Sequence, residues 1–588
     1  MRFKVACEVA AMEQKQERVL LNHQVFDRFV RIVALFTGDP KVGRTALWRF
    51  GWLVALILGF NGMNVVGSYV GRDFMTAVAG RDLDRMLVQT GLYLVVFSVL
   101  TVFAVIARYL EESLGLLWRE WLTGLCLNRY LAHRCFYRLA VRGEVPNPDQ
   151  RIADDIKAFT VTALSFALIL LNSGFAVIAF SGVLLEISPL LFGVAVAYAA
   201  VGSYLTIRLG RPLVRLNYDQ LDKEADFRSA LIHLRENADP IALLGQECPL
   251  RGRLFERLSE LVRNFHQIIQ VNLRLNFFTT GYNWLIQVIP ILVVAPLYFR
   301  GEVEFGVVTQ AAMAFMTLTS AFSLIVTQFQ SISSFAAVIA RLDALADALL
   351  AAEERATRPA IEVSEDQTQV AYDRLTLRSP RSGRTLVAGL TLAIPYGQAV
   401  LVVGDRSAQA ALLRATAGIW DEGEGRIVRP ALEQMAFLPE RPYLPPGTLR
   451  EALLCGCIAE EIADQDIMDV FALLTVKELV QRFGLDSKQD WPGLLGLAEQ
   501  QLLAVARVLL LAPRFVFLDR PSSALDPQRV AAVLDLFRQR AISYVVFEDT
   551  AGDLEHYDRV LRIDRNGKWQ VSSVTGGQLA EKLETGSA

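Results

Sequence analysis

Gly404 lies between an apolar strand and a helical stretch in the segment VVGDRSAQAALLRATAGIWDEGEGRI, residues 402–427. A strand, a glycine turn and a helix in this order form the frame of a phosphate-binding loop, G-x-x-x-x-G-K-[ST]. In a working loop, backbone amides and a lysine surround the phosphates, and a hydroxyl holds Mg²⁺. Here Gln409, Ala410 and Ala411 replace the second glycine, the lysine and the hydroxyl. The segment keeps the frame of a nucleotide site without its ligand-binding groups.

The composition indicates a membrane protein with a soluble carboxyl-terminal part. The chain has 588 residues, 53% of them apolar, and a mean hydropathy of +0.33. Apolar segments long enough to cross a bilayer, about 20 residues each, lie at 47–70, 87–110, 159–185, 188–208, 276–298 and 306–330. The net charge of −3 gives no indication of nucleic-acid binding. The six cysteines lack the spacing of a zinc site, so no metal is expected.

The distribution of Lys and Arg predicts the orientation of these spans. The long connections 111–157 and 208–274 carry 7 and 11 Lys/Arg, whereas the three short connections carry 4 together. Because positive residues favour the cytoplasmic side, both termini and both long connections are expected in the cytoplasm. The long connections begin and end as extensions of the spans, which predicts long intracellular helices.

Four regions follow from the changes in composition. Residues 1–46 form a cytoplasmic segment in which FDRFVRIVALF, 26–36, predicts either a helix on the inner membrane surface or a plain connecting helix. Residues 47–347 form the six-span domain, and 348–367 a polar linker. In residues 368–588, short apolar strands alternate with helical stretches, which predicts a soluble α/β domain.

Several segments occur in the order found in ABC half-transporters. FLPERPYLPPGTLREALL, 437–454, resembles the Q-loop segment, and residues 494–527 resemble the signature helix, Walker B strand and D-loop. VVGSYVGRDFMTAV, NPDQRIADDIKAF and KEADFRSALIHLRENADPIALLGQE resemble the bacterial SbmA/BacA-like uptake proteins and the peroxisomal acyl-CoA (subfamily D) half-transporters. The resemblance covers residues 45–575. It implies a six-span, ABC-exporter-like α-helical membrane domain joined to an α/β P-loop-type nucleotide-binding domain, in a homodimer or a heterodimer with another half-transporter.

Compared with the family pattern, the nucleotide-binding positions are replaced throughout. In the loop, Ser407 stands at another usual glycine, and Gln409 places a side chain where close approach of the backbone needs none. The signature, usually L-S-x-G-E, has lost its serine and its last glycine; it now contains Gly496, Ala498 and Glu499.

The same holds for the positions that act on Mg²⁺ and water. Asp519 remains as the Walker B acid, but Arg520 stands where a glutamate would polarise the attacking water. Glu440 replaces the Q-loop glutamine, and Asp549 the switch histidine. The spacing between these positions is intact, so the replacements do not result from misalignment of the motifs. Because the groups that bind and hydrolyse ATP are replaced, we expect no ATP hydrolysis and no cofactor in the isolated chain. ATP and Mg²⁺ would bind only weakly or beside a partner.

Charge suggests how this site is ordered without a ligand. A guanidinium among carboxylates forms bidentate, charge-assisted hydrogen bonds. We therefore expect Arg520 to pair with Asp549 or Glu440, beside Asp519. The alternative is that Arg520 points into solvent, as most surface arginines do.

Polar stripes on the spans are candidates for a translocation pathway. They comprise Asn61, Asn64 and Ser68 in the first span, Asn283 and Gln287 in the fifth, and Ser320, Ser323 and Thr327 in the sixth. Such stripes either line a pathway or form hydrogen bonds between helices. Asp73 and Glu186 are the candidate carboxylates for proton coupling, or else anchors at the membrane interface.

The leading interpretation is a subunit of a membrane transporter in the bacterial inner membrane, in contact with lipids, whose own ATP hydrolysis is lost. By resemblance, its substrates are peptides, cobalamin-like compounds or acyl-CoA lipids. One alternative is ATP-driven transport through an intact half-transporter partner. Another is a non-transporting membrane scaffold or regulator.

Overall fold

The chain forms two compact units. The computed structural model describes residues 23–145, 147–245, 247–323, 328–357, 360–454 and 462–586. The first unit contains the residues up to 128 together with 147–346, and the second contains 129–146 together with 347–588. The second unit is therefore discontinuous in sequence.

Helices make up the first unit, and most of them are long. They are α1 (His23–Gly38), α2 (Gly43–Ala79), α3 (Leu83–Leu131), α5 (Ile156–Ile187), α6 (Pro189–Glu236), α7 (Ala238–Leu244), α8 (Glu247–Phe299) and α9 (Phe305–Phe322). The short α4 (Cys135–Arg142) belongs to the second unit, and α10 (Phe329–Thr357) leads into it. Within the described residues, α2, α3, α5, α6, α8 and α9 are long and apolar enough to cross a membrane. The predicted six spans are confirmed.

Three of these helices are much longer than a bilayer needs. The helix α3 has 49 residues, α6 has 48 and α8 has 53. At 1.5 Å per residue, α8 is about 80 Å long, against about 30 Å for the hydrocarbon core. The expected helical extensions of the spans are therefore present.

The first helix packs against the spans through aromatic rings. Phe36 is 4% exposed and stacks on Trp118 of α3, with 5.3 Å between ring centroids. Phe29 meets Phe159 of α5 edge to face at 6.1 Å. The predicted helix at 26–36 thus lies within α1 and contributes to the core of the first unit.

Close contacts between helices depend on two glycines. Tyr198 of α6 and Tyr282 of α8 stack with centroids 4.3 Å apart, and a Cβ at Gly202 would lie 2.3 Å from the Tyr282 ring. A Cβ at Gly306, at the start of α9, would lie 1.8 Å from the carbonyl oxygen of Arg72. Only glycine permits either approach.

The second unit contains two sheets. The smaller has the order β1-β5-β2-β3, formed by Glu362–Glu365, Gly423–Arg429, Gln369–Arg378 and Thr385–Pro395. The larger has the order β11-β10-β9-β4-β8-β7-β6, formed by Gln578–Gly586, Trp569–Thr575, Arg559–Ile563, Ala399–Gly404, Ser543–Glu548, Phe515–Asp519 and Met435–Leu438. The predicted α/β domain is confirmed.

Strands β9, β4, β8, β7 and β6 run parallel. The apolar runs of β4, β7 and β8 are almost wholly buried, as expected for strands covered on both faces. The helices around them include α11 (Arg406–Thr416), α12 (Leu449–Leu454), α13 (Asp464–Leu473), α14 (Lys477–Phe483), α15 (Trp491–Leu494), α16 (Leu497–Leu511) and α17 (Pro527–Gln539). Ligand sites of open α/β sheets lie at the carboxyl ends of such strands.

Candidate functional site

The segment after β4 has the predicted order of strand, glycine turn and helix, and the turn is very short. Gly404 has φ +123, and a Cβ there would lie 1.9 Å from the carbonyl oxygen of Ile563, so only glycine fits this turn. Helix α11 begins two residues later at Arg406. The Asp405 carboxylate caps it by accepting from the Ala408 amide at 3.1 Å. The Gln409 amide donates to the Asp405 carbonyl at 3.0 Å. The amides of Ala408 and Gln409 are thus used at the start of the helix itself.

The side chain of Gln409 is buried and forms a hydrogen bond to a neighbouring strand. It is 3% exposed, and its Nε2 donates to the carbonyl of Glu548 at 2.8 Å. Ala411 is fully buried in the core beneath the sheet, Ala410 is half-buried, and Ser407 is exposed. Gln409 therefore connects α11 to the last residue of strand β8.

Arg520 forms one of the two ion pairs predicted for it. Its guanidinium pairs with the Glu440 carboxylate, and its Nε lies 3.4 Å from Oδ1 of Asp519. Arg520 has 22% of its side chain exposed and Glu440 has 32%. The expectation that Arg520 pairs with Glu440 or Asp549 is confirmed for Glu440. Arg520 also has φ +48, a left-handed conformation that few non-glycine residues adopt outside functional or strained sites.

Asp549 pairs with a residue that the sequence analysis did not single out. The Arg406 guanidinium binds it in a bidentate fork, with 2.8 Å between Nε and Oδ1. These hydrogen bonds hold the pKa of Asp549 below its ordinary value of 3.8, and the positive charges of Arg406 and Arg520 act in the same direction. The carboxylate therefore stays ionised at neutral pH.

The signature segment forms the start of helix α16. Gly496 is its N-cap, and the Gly496 amide donates to the Glu499 carboxylate at 2.8 Å. Ala498 is partly buried against the core of the second unit. Downstream, Gln501 donates from Nε2 to the Glu440 carbonyl at 2.9 Å, so the signature helix holds the segment that follows β6.

In the membrane unit, two predicted stripe residues connect helices. Asn61 is 5% exposed and donates from Nδ2 to Oδ1 of Asn172 in α5 at 2.9 Å. Ser68 is 1% exposed and accepts a 3.4 Å hydrogen bond from Gln310 of α9. Asn64, on the same helix, is half-buried.

The other described residues of the predicted stripes are more exposed. Asn283 and Gln287 are exposed on α8, and Ser320 is exposed on α9, while Ser323 is half-buried just beyond α9. Thr327 lies outside the described residues. A pathway role for these residues stays a prediction.

Both candidate carboxylates have partners near the ends of the spans. Asp73 forms an ion pair with its neighbour Arg72, with 2.9 Å between Nε and Oδ1. Glu186 accepts a hydrogen bond from the Tyr69 hydroxyl, which joins α2 to α5. These contacts are the kind expected of interface anchors.

The sequence is similar to ABC transporters along most of its length. Residues 35–299 match the family model described as ABC transporter transmembrane region 2. An uncharacterized ABC transporter ATP-binding protein of Synechocystis sp. is 36% identical over 537 residues, which cover 89% of this chain and 81% of that protein. ABC transporter D family member 2, chloroplastic, of Arabidopsis thaliana is 34% identical over 616 residues, which cover 92% and 86%. The chain belongs to the D family of ABC transporters.

A third relative, the human lysosomal cobalamin transporter ABCD4, is 24% identical over 95% of this chain and 98% of its own length. D-family proteins are membrane transporters with a nucleotide-binding domain, and the resemblance inferred from the motifs is confirmed. In this D-family chain, the residues that order the segment after β4 include two that the motifs did not indicate, Asp405 and Arg406. An aspartate immediately before a helical stretch is a helix-start signal, and it was present in the sequence.

Proposed function

We propose that the chain is a subunit of a D-family transporter dimer whose own nucleotide site does not hydrolyse ATP. The main support is the start of helix α11 at Arg406, which leaves no open loop to surround phosphates. The missing lysine at Ala410 and the arginine in place of a catalytic glutamate at position 520 agree with it. A nucleophilic water lacks its base, and the transferred phosphoryl group lacks its cation.

The proposed substrates are those of the resembling families: peptides, cobalamin-like compounds or acyl-CoA lipids. The name of the human relative, a lysosomal cobalamin transporter, supports the second class. The proposed location is a bacterial inner membrane, with both termini in the cytoplasm. The Lys/Arg content of the connections at 111–157 and 208–274 supports this orientation.

The test is ATP turnover and ATP binding by the purified full chain in lipid nanodiscs. We expect no Mg-ATP hydrolysis above background and no shift of the thermal unfolding midpoint with Mg-ATP. Vanadate-sensitive turnover by the chain alone would overturn the proposal. Ala410→Lys alone should also stay at background, because the helical start of α11 and Arg520 both remain.

Transport driven by an intact partner is the second candidate. It is favoured by the retained signature helix, whose N-terminal end at Gly496 could attract the phosphates of a nucleotide held by another chain. Co-purification from native membranes without added nucleotide tests this second candidate. A second half-transporter that brings ATP supports it, whereas a homodimer without nucleotide overturns it.

A further inference from the structure

We propose that a series of side-chain contacts across the strand ends, here called the belt, holds the nucleotide pocket in one fixed arrangement. The second unit therefore keeps its order without nucleotide. The belt consists of the ion pairs Arg406–Asp549 and Arg520–Glu440 and the hydrogen bonds between Ser522 and Glu548. The proposal concerns how the domain is ordered and goes beyond the proposed loss of hydrolysis.

The belt crosses the carboxyl ends of four adjacent strands. Arg406, at the start of the helix after β4, binds Asp549, which follows β8. Glu548, the last residue of β8, accepts from the amide of Ser522 at 3.1 Å and from its hydroxyl at 2.6 Å. Since Ser522 follows β7, these bonds join β8 to β7.

Arg520 carries the belt from the end of β7 to the segment after β6. Its guanidinium holds the carboxylate of Glu440, while Gln501 holds the carbonyl of the same residue. Glu440 is therefore fixed from two sides, through its side chain and its backbone. The ends of the adjacent strands β4, β8, β7 and β6 are thus each joined to the next one.

The two ion pairs differ in the solvent exposure of their side chains, and we therefore expect them to differ in strength. The Arg520–Glu440 side chains are 22% and 32% exposed, so solvent screens them only in part. The Arg406–Asp549 side chains are 67% and 42% exposed, and such pairs are weak and sensitive to salt. The Arg520–Glu440 pair should therefore keep the segment after β6 ordered. The Arg406–Asp549 pair should weaken as the ionic strength rises.

Hydrogen–deuterium exchange of the full chain in nanodiscs tests the belt, read from peptides that cover residues 437–447. Wild type should show the same exchange with and without Mg-ATP. Arg520→Ala should raise exchange in this segment about tenfold, because it leaves the Glu440 carboxylate without its partner. Arg520→Lys, which keeps a positive charge beside Glu440 and Asp519, should retain part of the protection.

Arg426→Ala is the matched control, because Arg426 forms an exposed ion pair with Glu362 in the other sheet. It should leave residues 437–447 unchanged. Protection of this segment by Mg-ATP in wild type, or unchanged exchange in Arg520→Ala, would overturn the belt. ATP turnover measured on the same samples addresses the proposed function separately, since a belt can order a domain whether or not it hydrolyses ATP.

Discussion

Arg138 and Asp421 form a bidentate ion pair within the second unit, with 2.6 Å from Nε to Oδ2 and 3.0 Å from Nη2 to Oδ1. Their side chains are only 11% and 14% exposed. The neighbouring Arg142 pairs with Glu422. A segment from the first long connection, Arg129–Pro146, is thus attached to the turn that precedes β5.

Arg138→Ala should reduce the free energy of unfolding of the soluble unit by about 1.5–3 kcal/mol, since it leaves the Asp421 carboxylate partly buried without a partner. Denaturant unfolding of the full chain in detergent measures the loss. Arg426→Ala, which breaks an exposed pair with Glu362 in the same unit, should cost about 0–1 kcal/mol. Equal losses in the two variants would contradict this prediction.

Gly202→Ala should destabilise the membrane unit by about 1–3 kcal/mol, because the added Cβ would overlap the Tyr282 ring. The control is Gly193→Ala in the same helix, where a Cβ meets nothing within 4 Å. Thermal unfolding in detergent compares the two. The Tyr282→Leu background should remove much of the cost of Gly202→Ala, and a cost that persists there would argue for another cause.

Asn61→Leu should lower the stability of the membrane unit by about 0.5–2 kcal/mol, because it breaks the hydrogen bond between α2 and α5. Asn172→Leu should have a similar effect, and the double variant should cost little more than either. Asn283→Leu, at an exposed position, should leave thermal stability unchanged. Unchanged stability in Asn61→Leu would show that the hydrogen bond between Asn61 and Asn172 does not stabilise the membrane unit.

Acid should lower the stability of the second unit, in part through protonation of Asp549. Its pKa is lowered in the folded state by Arg406, so its contribution to stability is present above its ordinary value of 3.8. That contribution is lost as the pH falls through the lower, folded value. Comparison of urea midpoints at neutral pH and below pH 3.8 should show a smaller acid-induced decrease in Asp549→Asn than in wild type. An identical decrease in both proteins would contradict the assignment.

The pairing of Arg520 could be predicted because it needs only the charges at positions that the motif spacing already brings together. The partner of Asp549 could not be found in this way, since it depends on where helix α11 begins. The phosphate-loop frame predicted a glycine turn followed by a helix without fixing the first residue of that helix, and the helix-start signal of Asp405 was not used. Local capping chemistry determined the observed backbone.

The membrane contacts show a similar limit. Periodicity placed Asn61 and Ser68 on one helix face, and both are buried. It could not identify Asn172 or Gln310 as their partners, because periodicity describes one helix and not the packing of two. The six spans were predictable since their signal is length and apolarity alone.

The attachment of Arg129–Pro146 to the second unit has a consequence for dissecting the protein. A fragment of residues 347–588 would contain Asp421 and Glu422 but neither arginine that neutralises them. Proteolysis or gene truncation at residue 346 would therefore release an incomplete, more acidic domain. A faithful soluble fragment requires α4 to be supplied as well, by a grafted insertion or as a separate peptide.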